Sequence, residues 1–288
     1  MWWHTRLLMN PSFASRFLVR LARCAYWFVH QVCGRRYGSL SKIAQVKAQS
    51  GTASVSLDDV LLIAKAYEHV ANPLVAHPCT RVGTGKDLQI QSLAGLLADR
   101  ELGIWTLSVD VIELLHQWVL EHRPKQVLEF SSGVSTLVLA DAMSRYLPKQ
   151  DMPAIVSIEQ DATCAKQTSQ LLQQAGLAQW AVIHHVPIGQ TPFDPSPCYD
   201  LQTAGLMAQL KAAYDLILID GPSCSRRATL PIAQQLVTSA CPFMLDDALR
   251  DDELADLVIW RDMPGMTVEG IGLIGKGLAT GVVKPTLV

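Results

Sequence analysis

The sequence predicts a doubly wound α/β fold built on a mostly parallel sheet. From about residue 105 onward, short apolar segments of strand length alternate with longer helical segments, which is the pattern of repeated βαβ units. The segment from Tyr214 to Ile219 is almost wholly apolar, as expected of a strand that is covered on both faces. Several predicted strands end in an acid. Because open α/β sheets bind ligands outside the carboxyl ends of their strands, these acids mark the expected functional edge.

The first predicted strand, Gln126 to Leu128, ends in Glu129 and leads through a turn into a helix from Leu137 to Tyr146. A helix N-terminus presents unpaired N–H groups, and small side chains in the turn let a ligand approach the backbone, so the segment predicts a nucleotide-type pocket. A dinucleotide-binding turn carries three glycines, whereas this one has only Gly133, and Glu129 would repel a pyrophosphate. A ligand with a cationic centre suits the turn better. An ordinary strand–helix connection is the alternative.

Residues 129–136, Glu-Phe-Ser-Ser-Gly-Val-Ser-Thr, resemble motif I of the class I S-adenosylmethionine (SAM)-dependent methyltransferases, in the branch that reads Glu-Phe-Gly-Ser-Gly-x-Ser-Thr. The resemblance implies that the turn packs against SAM and that the acid closing the second strand binds its ribose. The residues assigned to the cofactor are Glu129, Ser131, Ser132, Gly133, Ser135, Thr136, Glu159 and Gln160. Ser131 stands where the branch has glycine. If this position has a positive φ, we expect strain of about 1 kcal/mol and weaker cofactor binding.

The later segments extend the pattern. Glu159 closes the second predicted strand, and a helix over 162–176 follows, with Gly176 as its C-terminal cap. The predicted strands after the first are Ala154 to Ile158, Gln179 to Val186, Tyr214 to Ile219, Cys241 to Leu245, and a terminal hairpin of Thr267 to Ile274 with Gly281 to Val283. Pro187 to Pro197, with four prolines, predicts a loop. The late hairpin resembles the class I methyltransferase arrangement, which implies a seven-stranded, Rossmann-like sheet over about residues 105–285.

Methyl transfer from a sulfonium is an in-line displacement that needs alignment and a base for the acceptor proton. Polar residues that follow the predicted strands are the candidates, and we predict Asp220, Asp247 and His185 as catalytic. In catechol-type O-methyltransferases, which resemble this chain less closely, acids at the positions of Asp220, Asp246 and Asp247 bind one divalent ion. Mg²⁺ is therefore an alternative, but Asp246 and Asp247 are equally suited to cap the following helix, and we predict no metal ligand.

Two arginines, Arg226 and Arg227, follow Asp220 closely in sequence. They are suited either to binding an anionic substrate or to lying in solvent. Trp105 and Ser108 come just before the helix that precedes the first predicted strand. They resemble a Trp-x-x-Ser stretch that lies near the cofactor in the same branch. The alternative is that Trp105 is a buried structural residue.

The N-terminal segment differs in character from the rest of the chain. Residues 1–57 hold eight Lys or Arg residues and no acid. Over residues 13–33 an apolar helical face opposes Arg16, Arg20 and Arg23, which resembles a helix lying on a membrane surface. The arginines exclude a spanning helix. The alternatives are a helix packed on the protein's own core or on a second copy in a homodimer, and an organellar targeting segment.

The domain organisation predicted is a basic amphipathic segment over 1–57, a helical lead-in over 58–104 that covers the substrate, and the main domain over 105–288. Within the lead-in we expect helices from Asp58 to Ala71 and over 88–99. A hydrophobic fraction of 49% excludes a disordered chain, and a net charge of −2 gives no sign of nucleic-acid binding. The seven cysteines form no Cys-x-x-Cys pair, which favours free thiols and a cytoplasmic location, with membrane association at the cytoplasmic face through residues 13–33.

These observations predict a SAM-dependent methyltransferase that acts on a small molecule or a glycan, at oxygen in preference to nitrogen. One alternative is a Rossmann-type NAD(P)-dependent oxidoreductase, against which the missing glycines and the late hairpin argue. Another is a catalytically silent methyltransferase-like module that docks on a membrane or a partner through residues 1–57.

Overall fold

The computed structural model describes residues 54–66, 83–148, 152–222 and 226–286. The predictions for the helix over 13–33 and for nearly all of the 1–57 segment lie outside these residues. Within the described residues, no helix is both long enough and apolar enough to cross a membrane.

Strands and helices alternate through most of the described chain. The strands are β1 (Ser54–Val55), β2 (Gly83–Thr84), β3 (Glu101–Leu102), β4 (Val127–Phe130), β5 (Ile155–Glu159), β6 (Ala181–His185), β7 (Ile188–Thr191), β8 (Asp194–Tyr199), β9 (Leu216–Ile219), β10 (Cys241–Asp246), β11 (Met266–Gly272) and β12 (Leu278–Val283). The α-helices are α1 (Leu57–Ala66), α2 (Gln91–Ala94), α3 (Val109–His122), α4 (Val134–Ser144), α5 (Ala162–Gln174), α6 (Thr229–Leu236) and α7 (Asp251–Asp262). A short 3₁₀ helix spans Gly85–Asp87.

The main sheet has the strand order β1-β11-β12-β10-β9-β4-β5-β6. Its five strands from β10 to β6 are parallel, whereas β12 and β11 form the antiparallel hairpin predicted at the C-terminal end. The doubly wound α/β prediction and its seven strands are confirmed. The sheet has an eighth strand because Ser54 and Val55 pair with the edge of β11. A strand of two residues is too short to leave an alternating pattern in the sequence.

Parallel pairing brings the functional strand ends together. Phe130, the last residue of β4, pairs with Ile158 of β5 on one side and with Ile219 of β9 on the other. The turn after β4 therefore lies between Glu159 and Asp220. Buried apolar side chains pack on both faces of these strands, in two clusters that contain Leu128 and Val127 respectively, which explains the continuous apolar runs.

The loop predicted over Pro187 to Pro197 is wrong. Instead β7 and β8 pair as an antiparallel hairpin in a separate two-stranded sheet. In a two-stranded ribbon both strands are edges, so prolines that lack an N–H donor are tolerated at positions that face away from the partner. Pro187 precedes β7 and Pro192 lies in the turn between the two strands, so only Pro195 and Pro197 lie within a strand, in β8.

The helical lead-in is confirmed only in part within the described residues. The helix predicted from Asp58 to Ala71 is present over Leu57–Ala66, and its remaining residues lie outside the described part of the chain. The expected helix over 88–99 is α-helical only over Gln91–Ala94 before turns follow. The backbone N–H of Gly85 donates to Leu97 O at 3.1 Å, which ties this stretch to a preceding turn instead of to a continued helix. Two residues of the predicted helical region, Glu101 and Leu102, form a strand that pairs with β2.

Candidate active site

The turn between β4 and α4 contains two residues with a positive φ, Ser131 and Gly133. Gly133 has a φ of 148° and immediately precedes α4, which begins three residues earlier than predicted. A Cβ atom built on Gly133 would meet nothing within 4 Å, so open space lies over the turn. Ser131 has a φ of 112°, which an L-residue rarely adopts. The positive φ expected at position 131 is confirmed, and Ser131 is strained.

We expect Ser131→Gly to raise the free energy of unfolding by about 1 kcal/mol, because glycine adopts this backbone without the steric cost that a Cβ brings. The gain is partly offset by the greater freedom of glycine in the unfolded chain. Urea unfolding measures it. The control is Ser169→Gly within α5, where the backbone is helical and glycine should destabilise by about 0.5–1 kcal/mol. Destabilisation at both positions would show that Ser131 is not strained.

Glu129 lies beneath the turn and is fully buried. Its Oε2 accepts a hydrogen bond from Thr136 Oγ1 at 2.7 Å, and the same hydroxyl oxygen accepts the backbone N–H of Gly133 at 3.0 Å. Ser157 Oγ is also within hydrogen-bonding distance of Glu129 Oε2, and it donates to Ser131 O at 2.8 Å. Glu129 Oε1 has no hydrogen-bond partner among the described residues. The carboxyl group therefore holds the turn in place from below through two hydroxyl side chains.

Burial raises the pKa of Glu129 to about 7, although hydrogen bonds from neighbouring hydroxyls oppose the shift. The hydrogen-bond pattern agrees with this direction. Ser157 has one hydroxyl proton but two acceptors, so it satisfies both contacts only when Glu129 is protonated and donates in return. The ligand-free protein is thus expected to carry a neutral Glu129 below about pH 7.

A Glu129→Gln variant tests this pKa. The unfolded chain ionises Glu129 near pH 4.5 but the folded protein only near 7, so its neutral form stabilises the fold at low pH and that stability is lost as the pH rises through 7. Glutamine does not titrate. We therefore expect the difference in unfolding free energy between wild type and variant to shift by roughly 2–3 kcal/mol in favour of the variant from pH 5 to pH 8. Urea unfolding at both pH values measures it, and a pH-independent difference would contradict the raised pKa.

Glu159, at the end of β5, faces the same turn. Its Oε2 accepts hydrogen bonds from the backbone N–H and the hydroxyl of Ser132 at 2.8 and 3.0 Å, and its Oε1 accepts the backbone N–H of Asp161 at 2.9 Å. Only 2% of Glu159 is exposed. A carboxylate has about four lone-pair positions, so these three bonds leave one free.

The strand β8 supplies a residue that the sequence did not indicate. Tyr199 is buried, and its hydroxyl donates to Gln160 Oε1 at 2.9 Å. A Cβ atom added to Gly221 would lie 2.6 Å from this hydroxyl and 3.0 Å from Ser131 Cβ. Tyr199, Gln160 and Gly221 therefore form a close-packed wall beside the turn. Tyr199 was not predicted at this site because most of its strand, β8, falls within the predicted proline-rich loop.

Four buried or half-buried acids lie at the ends of β9 and β10 and at the start of α7. They are Asp220, Asp246, Asp247 and Glu253, and three cationic side chains, Arg226, Arg250 and Lys276, lie among them. Arg226 connects the two strand ends, because its guanidinium donates to Asp220 O and to Asp246 O, both at 2.7 Å. The same guanidinium donates to Asp247 Oδ2 at 3.1 Å.

These contacts shift the pKa values of the acids in different directions. Burial raises the pKa of Asp220 to about 6, although Arg226 opposes the shift. Burial and the charge on Asp247 raise the pKa of Asp246 well above its usual value. Burial acts in the same direction on Asp247, but Arg226, Lys276 and Arg250 outweigh it and hold the pKa of Asp247 below its usual value. With a side-chain exposure of 18%, Asp220 is more accessible to a substrate than Asp247 is at 3%.

Arg226 is therefore neither solvated nor free to bind an anionic substrate, and both alternatives predicted for it are wrong. Arg227 is half-buried and pairs with Asp256 at 2.8 Å. The expectation that Asp246 and Asp247 cap the following helix is also wrong, because α7 begins after Arg250 and Asp247 contributes only its carbonyl, which accepts the Arg250 N–H.

Solved structures of other proteins share the fold of this chain. No protein-family model and no curated protein sequence matches the chain. Among solved structures, the cofactor-bound Rv0187 from MTB is 19% identical, with a TM-score of 0.52 over 70% of this chain and 94% of that one. The shared fold is Rossmann-like. Two others align with a TM-score of 0.46: the O-methyltransferase TomG from Streptomyces achromogenes, involved in tomaymycin synthesis and in complex with SAM, and an O-methyltransferase from Bacillus cereus in complex with SAH.

TomG is 18% identical and aligns over 67% of this chain and 86% of its own, whereas the Bacillus cereus protein is 16% identical and aligns over 84% and 96%. The Rossmann-like fold explains why the residues assigned to the cofactor gather at one edge. Glu129, Ser131, Ser132, Gly133 and Thr136 surround the turn, while Ser135 is buried in the first turn of α4.

His185 lies apart from the other predicted catalytic residues. It is exposed at the end of β6, and its Nε2 atom lies 3.2 Å from Gln160 O. The strand order puts β5 and β4 between β6 and β9, which separates His185 from Asp220 by about 14 Å at the usual strand spacing. The structure brings Asp220 and Asp247 together but does not bring His185 to them, and its catalytic role stays a prediction.

A divalent metal ion does not fit among the three acids at the ends of β9 and β10, because cationic side chains already contact them. Asp220, Asp246 and Asp247 offer oxygens within 4.8 Å of one another, but cationic side chains hold both oxygens of Asp247. Lys276 Nζ lies 2.6 Å from Oδ1, and Arg250 lies 2.8 Å from Oδ2. An Mg²⁺ ion about 2.1 Å from Oδ1 would lie within about 4.7 Å of the Lys276 ammonium. At an effective dielectric constant of about 20, the two would repel each other by about 7 kcal/mol.

Proposed function

We propose that this chain is a SAM-dependent methyltransferase that transfers the methyl group to an oxygen atom of a small molecule or a glycan. The observation that carries the proposal is the turn after β4, where Ser131 and Gly133 have a positive φ and Glu159 lies at the end of the neighbouring strand. This arrangement leaves room for a ligand against the backbone and supplies a carboxylate for ribose hydroxyls. It lacks the glycines that a pyrophosphate requires, which favours SAM over NAD(P).

The residues present fit SAM. The open space over Gly133 gives a ligand access to the turn, and the buried carboxyl group of Glu129 beneath it suits a ligand that brings positive charge there. The Ser132 hydroxyl is bonded to Glu159 in the position that suits a ribose hydroxyl, so binding would exchange one hydroxyl for another at little cost. When bound, SAM supplies a methyl group on a sulfonium, and the protein has to position the acceptor and accept its proton.

Asp220 is the residue best placed to accept that proton. Its backbone N–H and that of Gly221 both donate to Phe130 O, at 3.0 and 2.9 Å, which fixes it beside the turn. With a pKa of about 6, it is ionised at neutral pH and close to the value at which a general base works best. Asp247 is fully engaged by cationic side chains, so its proposed role is to hold Arg226 and Lys276 in place.

Calorimetric titration of the full chain with S-adenosylhomocysteine (SAH), NAD⁺ and NADP⁺ tests the proposal. We expect micromolar binding of SAH and none of the dinucleotides. Binding of a dinucleotide in place of SAH would favour an oxidoreductase. A second assay follows SAH formation from SAM with a panel of hydroxylated small molecules and oligosaccharides. SAH binding without turnover on any of them would favour the catalytically silent module.

A further inference from the structure

We infer that the Lys276 ammonium takes the place that a divalent ion would occupy beside Asp247, so that this site works without a metal. The inference deepens the proposed function, on which its meaning for methyl transfer rests. Lys276 is proposed as a positioning residue, which acts through Asp247 and through the loop that it contacts. Its chemistry is a fixed, single positive charge inside a group of acids.

The position of Lys276 is built into the hairpin turn between β11 and β12. The turn is tied to the loop after β10 by two backbone hydrogen bonds: Leu249 N–H donates to Lys276 O at 3.1 Å, and Ala248 N–H donates to Gly277 O at 3.0 Å. Gly277 has a φ of 95°, and a Cβ atom there would lie 2.6 Å from the Leu249 side chain. The backbone therefore holds Lys276 against the residues that directly follow Asp247.

The side chain of Lys276 is directed into the acids. It is 8% exposed, its Nζ lies 2.6 Å from Asp247 Oδ1, and it also donates to Ile104 O at 3.3 Å. The next residue in that loop, Trp105, is 70% exposed. Lys276 thus joins Asp247 to an exposed aromatic loop at the edge of the candidate site, and a metal could reach Asp247 Oδ1 only by displacing it.

The charges in the group are consistent with an internal cation. Four acids, Asp220, Asp246, Asp247 and Glu253, face three cations, Arg226, Arg250 and Lys276. The group is therefore close to neutral without any added ion. This balance is expected, since buried charges are stable only when they are paired. Removing Lys276 alone would free Asp247 Oδ1 and make the net charge of the group more negative by one unit.

Titration of the full chain with Mn²⁺, followed by electron paramagnetic resonance, tests this inference without an acceptor. We expect the wild type to bind no Mn²⁺ up to millimolar concentrations. We expect Lys276→Met to bind one Mn²⁺ at least ten-fold more tightly than the wild type, and Lys276→Arg, which restores a cation, to lose that binding. The control is Lys284→Met, which removes an exposed lysine just beyond the same hairpin and should behave as the wild type.

Stoichiometric Mn²⁺ binding to the wild type that Asp247→Asn abolishes would overturn the inference. A folded Lys276→Met that still binds no Mn²⁺ would also overturn it, because Lys276 would not be what excludes the ion. If Lys276→Met fails to fold, Lys276→Gln replaces it with the same expected result, and Mn²⁺ binding to the wild type would overturn the inference in either case. The SAH titration is read separately, so failure to bind SAH refutes the proposed methyltransferase and leaves the metal result intact.

Discussion

Replacing Arg226 with methionine is expected to lower the free energy of unfolding by about 3–5 kcal/mol, because it leaves buried carboxylates without their cation. The guanidinium lies within 3.5 Å of carboxylate oxygens on Asp220, Asp247 and Glu253 and is itself buried. It also donates to the backbone carbonyls at the ends of β9 and β10, which the methionine cannot do. Urea unfolding at pH 7 measures the loss.

The matched control is Arg261→Met. Arg261 also forms an ion pair, with Asp58 at 2.8 Å, but its side chain is 37% exposed and that of Asp58 is 79% exposed. Exposed pairs contribute little, so we expect a change below about 1 kcal/mol. Equal, small effects at both arginines would contradict the account of Arg226 as the residue that joins the two strand ends.

Gly221→Ala is expected to weaken SAH binding at least ten-fold and to cost about 1–3 kcal/mol of stability. The new methyl group would lie 2.6 Å from the Tyr199 hydroxyl and 3.0 Å from Ser131 Cβ, so the wall or the turn has to move. Calorimetry with SAH and urea unfolding measure the two effects. The control is Gly95→Ala at the end of α2, where an added Cβ meets nothing within 4 Å and the backbone is helical.

A second substitution locates the clash. Tyr199→Phe removes the oxygen that the methyl group introduced by Gly221→Ala would meet. We therefore expect the double variant Gly221→Ala with Tyr199→Phe to bind SAH more tightly than Gly221→Ala alone. If the two losses simply add, Tyr199 does not lie against Gly221, and the close-packed wall beside the turn is wrong.

The fold was predictable because its signals are local. Each parallel strand is a short apolar run closed by a polar residue, and parallel pairing alone brings Glu129, Glu159 and Asp220 to one edge. The strain at Ser131 was predictable as well, since a motif that has glycine at one position indicates a positive φ there.

The parts that the sequence did not predict depend on contacts between distant residues. Lys276 meets Asp247 across the β10–β12 pairing, and Tyr199 reaches Gly221 from a hairpin that its prolines disguised. Solvated and buried arginines look alike in a sequence, so the burial of Arg226 among four acids left no signal. The acids at positions 220, 246 and 247 suggested a metal because the sequence does not show that Arg226, Arg250 and Lys276 pack among them.

Calorimetric titration with SAH tests most directly the claim that Glu159 helps to bind the cofactor. The proteins compared are the wild type, Glu159→Gln and the control Glu269→Gln. Glutamine at 159 keeps an acceptor for the Ser132 N–H but loses the charge and one acceptor for ribose, whereas Glu269 is exposed on β11. The account predicts micromolar binding to the wild type and to Glu269→Gln, and binding at least ten-fold weaker to Glu159→Gln by calorimetry. Equal affinity in all three proteins, or no binding to a folded wild type, would contradict it.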